Sequence, residues 1–330
     1  MKKRSKYEKL REYIKRLCED VTPLINLSDV HYEGHNWSVV KLLVLGSWSY
    51  VYTTIISKNW RGPYYYVDLL AGSGTTKVKE TGDIVVGSAF VPHVFARHPY
   101  DFSIFVEIDE EKYKALHTRV AHLFKPFKYK ILKGDCNKLI REITERMKRD
   151  HAHALVFVDN EGLDAHWNTI NELLRSFTDI LIVFPTAGIR RILGAWMRGT
   201  EFPKMDYFFG GPEWKERAVD EEELLEFYKA KIRESFTKYR SKDCYVSSIR
   251  IGEKRFYYDV ILVCKKGPYV RAWEDLREKF DWLNPRIIDI TLKSLKGEIT
   301  SLDWFIDLQD RVEEIMGKQT KLDMFTKSQN

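Results

Sequence analysis

An apolar segment that runs straight into two closely spaced glycines limits the possible folds of this chain more than any other feature. Residues Tyr64–Leu70 are apolar and rich in β-forming side chains, and Ala71, Gly72 and Gly74 follow at once. Asp68 lies four residues before the first of these glycines. Glycine adopts left-handed backbone conformations and lets the main chain approach a ligand closely. The segment is therefore predicted to be the first strand and the ligand-binding loop of a nucleotide-type α/β fold.

Two other interpretations of this glycine loop exist. Tight turns use glycine everywhere, so the two glycines alone also fit a purely structural turn between a strand and a helix. A phosphate-binding P-loop is disfavoured, because no Gly-Lys-Ser/Thr sequence follows the loop.

Further apolar strands recur at intervals that favour a parallel sheet covered by helices on both faces. They are Phe102–Asp109, Tyr129–Leu132, Ala154–Val158 and Ile180–Phe184. Acidic residues lie at or just after the ends of the first four strands: Asp68, Glu107, Asp135 and Asp159. Ligands of such sheets bind at the carboxyl ends of the strands. We therefore expect these four acids to meet at one edge of the sheet.

The acids after the second and third strands have distinct expected roles. Glu107 is predicted to accept hydrogen bonds from ribose hydroxyls, whereas Asp109 is better placed to cap the helix Glu110–Leu123. Asp135 is predicted to face an adenine amine. It fits equally well as the N-cap of a helix over Lys138–Lys148.

The loop after the fourth strand is the expected catalytic position. The pattern Asp-x-x-x-Gly-x-Gly of the first loop is similar to that of S-adenosylmethionine-dependent methyltransferases. Those that act on amines carry Asp/Asn-Pro-Pro-aromatic after their fourth strand. Here Asp159, Asn160 and Glu161 occupy this place without the prolines, and Trp167 follows as a candidate stacking partner for a base. We predict a catalytic role for the first three residues.

Composition narrows the function classes. The net charge of +6 is compatible with nucleic acid as a partner, and the chain contains 9 Trp, 18 Tyr and 18 Phe. Arg190 and Arg191, beyond the fifth strand, are predicted to contact the substrate. The four cysteines form neither a Cys-x-x-Cys pair nor a metal-ligand spacing, so no metal is expected. Cytosine C5 methylation, which needs a thiolate nucleophile, is disfavoured because no Pro-Cys pair stands in a catalytic loop.

The organisation predicted from the sequence is a single methyltransferase-like α/β domain with helical additions. Residues 1–60 form a helical extension, and residues 61–270 form the domain, with a helical insertion at 186–243 placed to act as a lid or recognition element. Strands Tyr245–Ile251 and Phe256–Cys264 form a terminal antiparallel hairpin, which completes a seven-stranded Rossmann-like sheet. Residues 271–316 form C-terminal helices. The apolar run Val39–Ile56 is interpreted as a buried helix and not a membrane span, and the protein is expected to be cytoplasmic.

The C-terminal tail, residues 317–330, contains a second informative pattern. Gln319, Leu322 and Phe325 resemble the box by which replication and repair proteins bind the sliding clamp, proliferating-cell nuclear antigen. One 3₁₀ turn would place the two apolar side chains on one side as a plug for a pocket. Thr326 replaces the usual second aromatic residue, which weakens the match. The position at the C-terminus is typical of archaeal clamp-binding boxes; a frayed polar tail is the alternative.

Taken together, the motifs resemble those of the three-Cys-motif partner protein family, which is methyltransferase-like. The shared residues are Trp37, Lys41, Tyr66–Asp68, Ala71–Gly74, Gly87, Ser88, Glu107–Asp109, Asp159, Gly162, Leu163, Phe184, Pro185 and Arg190. The resemblance covers about residues 30–290 and implies a class I methyltransferase fold that binds S-adenosylmethionine. Members are associated with radical S-adenosylmethionine proteins, which suggests such a partner.

The favoured function is therefore methylation of an exocyclic amine of a nucleic-acid base, with DNA preferred because of the clamp-like tail. The cofactor is expected across Asp68, Ala71–Gly74, Glu107 and Asp135. The alternatives are a transfer-RNA or ribosomal-RNA methyltransferase, and a non-catalytic adaptor that is recruited by the clamp to DNA repair or replication and has lost the chemistry of its fold.

Overall fold

The computed structural model of the chain describes residues 6–125, 128–240, 243–253, 256–280, 283 and 285–298. Its strands are β1 (Tyr32–Gly34), β2 (Tyr64–Asp68), β3 (Thr75–Val78), β4 (Ile84–Val86), β5 (Phe102–Glu107), β6 (Tyr129–Lys133), β7 (His153–Val158), β8 (Thr178–Phe184), β9 (Cys244–Glu253) and β10 (Phe256–Lys265). Its helices are α1 (Lys6–Glu19), α2 (Thr22–Ile25), α3 (Asn36–Asn59), α4 (Val91–Phe95), α5 (Glu110–Leu123), α6 (Cys136–Arg149), α7 (Trp167–Leu174), α8 (Thr186–Trp196), α9 (Pro203–Phe209), a 3₁₀ helix (Pro212–Arg217), α10 (Glu221–Tyr239), α11 (Pro268–Phe280) and α12 (Pro285–Leu295).

Seven strands form the central sheet in the order β6-β5-β2-β7-β8-β10-β9. The first five of this order pair in parallel, whereas β10 runs antiparallel to both β8 and β9. The order reverses at β2, whose neighbours β5 and β7 lie on opposite sides, so the ligand-binding crevice is expected at its carboxyl end. The predicted Rossmann-like class I methyltransferase fold, with a terminal antiparallel hairpin, is confirmed.

Buried side chains alternate along each strand between two cores, one on each face of the sheet. On β7, Leu155 and Phe157 join the first core, whereas Ala154, Val156 and Val158 join the second. Helices α1, α3, α5, α11 and α12 cover the first core, and helices α6 to α10 cover the second. Both faces are therefore apolar, which explains the near-continuous hydrophobic runs in the strand sequences.

Helix α3 is long and apolar enough to cross a membrane, the only such helix among the described residues. Most of the apolar stretch of α3 is buried inside the protein, where the side chains of Trp48 and Tyr52 are fully enclosed. A core helix that is apolar all round needs no lipid to explain it. This is the packing that the sequence predicted for Val39–Ile56.

Three features differ from the sequence-based expectations. The glycine loop leads into β3 rather than a helix, and β3 pairs with β1 and β4 in a separate three-stranded sheet. The predicted helical extension, residues 1–60, also contains the short strand β1. Helix α10 buries Leu224, Tyr228, Ile232 and Phe236 in the second core. It therefore covers the sheet and is not a lid, which leaves only the α8–α9 region of the predicted insertion near the carboxyl edge.

One fully buried arginine ties the N-terminal segment to the glycine loop. Arg119, on α5, donates hydrogen bonds to four backbone carbonyls: those of Leu24, Ser28, Val30 and Ser73. Its guanidinium thereby satisfies carbonyls of two separate chain segments at once, residues 24–30 and the glycine loop. The glycine loop is held by this contact as well as by its own turn.

We expect Arg119→Met to lower the free energy of unfolding by about 3 kcal/mol or more, because four buried carbonyls lose their donor. Arg149→Met is the matched control, since the Arg149 side chain is 72% exposed and pairs with Asp150. It should cost under about 1 kcal/mol. Urea unfolding of both variants measures the difference, and equal losses would contradict the assigned role.

Candidate functional site

A cavity of about 370 Å³ lies at the carboxyl ends of the central strands, where the strand order reverses. We call it the first cavity. Its wall includes the glycine loop, the end of β5, the loop after β7 and the beginning of α3, together with Tyr32 of β1 and with Gly87 and Ser88 after β4. The lining residues used below are Tyr32, Ser38, Lys41, Ala71, Gly72, Gly74, Glu107, Asp109, Asp159, Glu161 and Gly162.

The two glycines of the loop are needed for different reasons. Gly72 has a φ of +61°, and a Cβ placed on it would meet nothing within 4 Å. Gly74 has a φ of +84°, and a Cβ there would lie 2.5 Å from the Phe90 ring. Gly74 is thus required by packing, whereas Gly72 presents bare backbone to the cavity. Ala71 lies between β2 and these glycines and donates its N–H to Val106 O at 2.9 Å.

Asp68 stabilises the glycine loop from inside the protein core. It is fully buried and is not part of the cavity wall. Its Oδ1 accepts the Leu70 N–H at 3.2 Å, and its Oδ2 accepts the Tyr66 hydroxyl at 3.3 Å. Burial raises the pKa of Asp68 to about 7, although the hydrogen bonds to Ser88 and Leu70 oppose this rise. The predicted cofactor contact would therefore be indirect, through the shape of the loop.

The acids at the end of β5 lie as the sequence suggested. Asp109 accepts the N–H groups of Glu111 and Lys112, and so caps α5. Glu107 lines the cavity, and its Oε1 accepts the Asp109 N–H at 2.8 Å. Among the described residues, no protein donor binds its Oε2. One carboxylate oxygen is thus anchored, and the other is available to a ligand.

Asp135 occupies the N-cap of α6, which was the alternative left open by the sequence. Its Oδ1 accepts both the backbone and side-chain N–H groups of Asn137. Asn137 in turn donates to Asp164 O and accepts the Thr169 hydroxyl. Asp135 does not line the first cavity. Its carboxylate is engaged in structural hydrogen bonds, so the adenine contact stays a prediction without geometric support.

A buried lysine neutralises the acids of the predicted catalytic loop. Lys41, on α3, is 2% exposed, and its Nζ lies 2.5 Å from Asp159 Oδ2 and 2.7 Å from Glu161 Oε1. The Tyr32 hydroxyl donates to Glu161 Oε2 at 2.7 Å. The ammonium also lies 5.7 Å from the centroid of the Tyr258 ring. Asp159 and Glu161 therefore do not stand as free bases in the cavity.

The pKa values of the two acids in this cluster shift in opposite directions. Burial raises the pKa of Asp159 to about 6, against the lowering effect of Lys41. The charge of Lys41 lowers the pKa of Glu161, and the two carboxylates hold the pKa of Lys41 well above its usual value. Asp159 Oδ1 is buried and has no hydrogen-bond donor among the described residues. It is the one oxygen of the pair that still lacks a partner.

Asn160 has a structural role instead of the catalytic one that we expected. It is fully buried, its Nδ2 donates to Ala165 O at 2.8 Å, and its Oδ1 accepts the Ala165 N–H at 2.9 Å. Both ends of the amide are thereby used to close the loop 160–165. The side chain is absent from the cavity wall. Our expectation is corrected because the loop satisfies this buried amide internally.

A second cavity of about 500 Å³ adjoins the first and shares Glu161 and Gly162 with it. Arg191 lines this second cavity, as predicted for a substrate-binding residue. Arg190 lines neither cavity; its Nε lies 3.7 Å from Glu221 Oε1. The structure thus brings only one of the two predicted arginines to the site.

Trp167 does not reach either cavity, which corrects the predicted stacking role. It begins α7, is 9% exposed and packs in the second core with Tyr228. The Lys231 ammonium lies 4.8 Å from its ring centroid. Closeness along the chain to Asp159 suggested the wrong direction for this side chain.

Two further predictions concern clamp and metal binding. Gln319, Leu322 and Phe325, together with residues 299–316 of the predicted C-terminal helices, lie outside the described residues. Within the described residues, no three His, Cys, Asp or Glu side chains are grouped so that they could hold a metal ion.

Lys41 and Tyr32 are the site residues to which sequence reasoning gave no role. Lys41 is the single charged residue between Val39 and Ile56 in the sequence. An isolated charge in an apolar helix is expensive to bury without a partner, so it signals a buried carboxylate elsewhere in the fold. Tyr32 carries no comparable signal.

We expect Lys41→Met to lower the free energy of unfolding by about 3 kcal/mol or more at pH 8, because it leaves two adjacent carboxylates without their counter-charge. The loss should be smaller at pH 5. The pKa of Asp159, already about 6 with Lys41 present, rises further without it, so protonation below that pH removes the repulsion. Urea unfolding at both pH values measures this.

The control for this variant is Lys79→Met. Lys79 also pairs with a glutamate, Glu33, at 3.7 Å, but its side chain is 46% exposed. It should lose under about 1 kcal/mol at either pH. A loss in Lys41→Met that does not change with pH would show that the methionine disturbs packing and not charge balance.

No protein-family model matches the chain, and no curated protein matches it. It is similar to protein LPL1258 of Legionella pneumophila (11% identity, TM-score 0.44, 76% of this chain and 94% of that one). It is also similar to Trm1 of Pyrococcus horikoshii, solved with S-adenosyl-L-methionine (14%, 0.39, 70% and 57%), and to an O-methyltransferase of Bacillus cereus, solved with SAH (10%, 0.39, 81% and 93%). At such identities and TM-scores these likenesses say nothing about function, and the fold assignment rests on the strand order.

Proposed function

We propose that this chain is an S-adenosylmethionine-dependent methyltransferase that acts on an exocyclic amine of a nucleic-acid base, with DNA favoured. The observation that carries the proposal is the meeting of bare glycine backbone, Glu107 and Asp159 around one cavity at the switch point of a methyltransferase-type sheet. The motif resemblance to the three-Cys-motif partner family points to the same cofactor.

The first cavity suits the cofactor on three counts. Its volume of about 370 Å³ falls in the range of small-ligand sites. Open space in front of Gly72 lets a ligand approach the main chain. Glu107 offers a carboxylate oxygen at the strand end where ribose hydroxyls bind in related folds. When bound, the cofactor would supply an electrophilic methyl group.

The residues of the β7 loop would position the acceptor. Asp159 Oδ1 lacks a donor among the described residues and is covered by its surroundings, so an amine N–H would satisfy it once a small rotation of the carboxylate exposes it. Lys41 holds the other oxygen and favours the ionised carboxylate, which accepts hydrogen bonds better than the acid. A fixed amine lone pair needs no strong base, because correct orientation itself lowers the barrier.

DNA is favoured over RNA because Gln319, Leu322 and Phe325 resemble a clamp-binding box. We propose that the tail recruits the protein to the sliding clamp, and that Leu322 and Phe325 fill an apolar pocket there. One observation favours the adaptor alternative: both predicted catalytic acids are already paired with Lys41. Such pairing also fits a scaffold whose chemistry has been lost.

Gly72→Ala should weaken S-adenosylhomocysteine binding at least tenfold. The added methyl group would stand in the cavity at a φ of +61°, which disfavours any side chain. Gly82→Ala is the matched control, because Gly82 has a φ of +71°, equally open surroundings and no part in the cavity wall. Isothermal titration calorimetry compares the two. Equal affinities of the two variants for S-adenosylhomocysteine would show that the glycine loop is not part of the cofactor site.

Asp159→Asn should reduce methyl transfer by roughly a hundredfold while it spares S-adenosylhomocysteine binding, because the amide turns an acceptor into a partial donor. Transfer from tritiated cofactor to duplex DNA, single-stranded DNA and total RNA measures this. The control is Asp275→Asn, an exposed carboxylate on α11 that lines neither cavity. Undiminished transfer by Asp159→Asn would refute the site assignment.

The same assay separates the remaining alternatives when it is run with and without the sliding clamp. Label in DNA that increases with the clamp, and an increase lost in Leu322→Ala/Phe325→Ala but kept in Lys327→Ala, supports the whole proposal. Label only in RNA favours the RNA methyltransferase. Cofactor binding without label in any pool favours the adaptor.

A further inference from the structure

The second cavity has the walls of a site for a flat, partly apolar group. The side chains of Leu163, Ile189, Ile192, Phe202 and Met205 line it. These come from the β7 loop, from α8 and from the start of α9, so three segments converge on it. This space adjoins the first cavity, because Glu161 and Gly162 line both cavities.

The polar residues on this wall are two cations and two acids, and all but one are paired. Lys204 bonds to Asp164 at 3.1 Å, Glu201 lies 3.7 Å from Lys215, and Glu161 is held by Lys41. Arg191 is the exception, since it forms no ion pair among the described residues. Arg191 is therefore the cation on the described wall that is available to an anion such as a phosphate.

A row of stacked rings leads away from Arg191 across the surface. The Arg191 guanidinium lies 5.9 Å from the Phe256 ring centroid, and Phe256 is 51% exposed. Phe256 stacks on Trp37 at 5.5 Å and 8°, and Trp37 stacks on His35 at 4.2 Å and 18°. The separation of 5.5 Å exceeds the ~3.5–4.0 Å of face-to-face atomic contact, so these two rings are offset and keep open area.

This ring row is joined to the candidate site at one end, at Arg191. Arg191 belongs to the row and to the second cavity. Trp37 stands in the first turn of α3, one residue before Ser38, which lines the first cavity. The His35 ring is oriented by a hydrogen bond with Glu80, whose Oε1 lies 2.8 Å from His35 Nδ1. The row therefore begins at the second cavity and continues from there through three ring contacts.

We infer that the acceptor is an unpaired segment of DNA, whose target base enters the second cavity while neighbouring bases stack along Phe256, Trp37 and His35. This inference rests on the proposed function and specifies that the substrate is an unpaired DNA strand. The argument from chemistry is direct. Aromatic platforms beside a cation bind bases whose faces are open, and a duplex hides those faces in its own stack. Arg191 would meet the phosphate between the target base and its neighbour.

Fluorescence anisotropy tests this inference without any methyl transfer. The probe is a labelled mixed-sequence DNA strand, compared with its duplex and with an RNA strand of the same sequence at one salt concentration and with S-adenosylhomocysteine present. The variants are Phe256→Ala and Trp37→Ala. The control is Phe177→Ala, because Phe177 is 52% exposed and lies against Trp60, just before β8 at the opposite edge of the sheet.

We expect the single DNA strand to bind more tightly than the duplex, and each ring-row variant to lose about tenfold in affinity while Phe177→Ala does not change. Unchanged affinity in both ring-row variants, or tighter binding of the duplex, would overturn the inference. Tighter binding of the RNA strand by tenfold would overturn the choice of DNA. Retained S-adenosylhomocysteine binding in the variants shows that they are folded. Its absence in the unaltered protein would refute the proposed function instead.

Discussion

The ion cluster around Lys41 is the interaction on which the candidate site depends. An ammonium group that is 2% exposed would cost several kcal/mol to bury alone, and two carboxylates at 2.5 and 2.7 Å offset that cost. The same contacts fasten the β7 loop to helix α3, an element from the other end of the domain sequence. The cluster therefore influences both the position and the charge state of Asp159. The counter-charge comes from helix α3 and not from the β7 loop itself.

The connection after β2 differs from that of dinucleotide-binding folds, although the ligand-binding edge of the sheet is the same. In dinucleotide-binding folds, a helix begins directly after the glycine loop and directs its N-terminus at the ligand. Here the chain enters β3 instead, and the small sheet of β1, β3 and β4 buttresses the loop. Arg119 adds four hydrogen bonds to backbone carbonyls, one of them at Ser73. The loop is thus held in place without a helix, and under the proposed function its ligand contacts would come from bare backbone and Glu107.

The site residues that sequence reasoning placed well are those whose position follows from the strand pattern. Glu107 ends a strand and Asp109 caps the helix after it, so their positions follow from the spacing of strand and helix. Asn160 and Trp167 fared differently, because each lies beside the site along the chain yet turns into the protein. Side-chain direction in an irregular loop depends on which buried polar groups need partners, and those partners are not visible in the local sequence.

The sequence by itself determined the parallel sheet, the terminal hairpin and the edge at which the acids gather, because strand period, glycine spacing and strand-end carboxylates are local patterns. Only the tertiary structure decided that Lys41 neutralises Asp159 and Glu161, that α10 covers the sheet, and that Phe256 stacks on Trp37. Each of these joins residues far apart in the chain. Their pairing is set by packing and by the need to compensate buried charge, and both act only once the chain has folded.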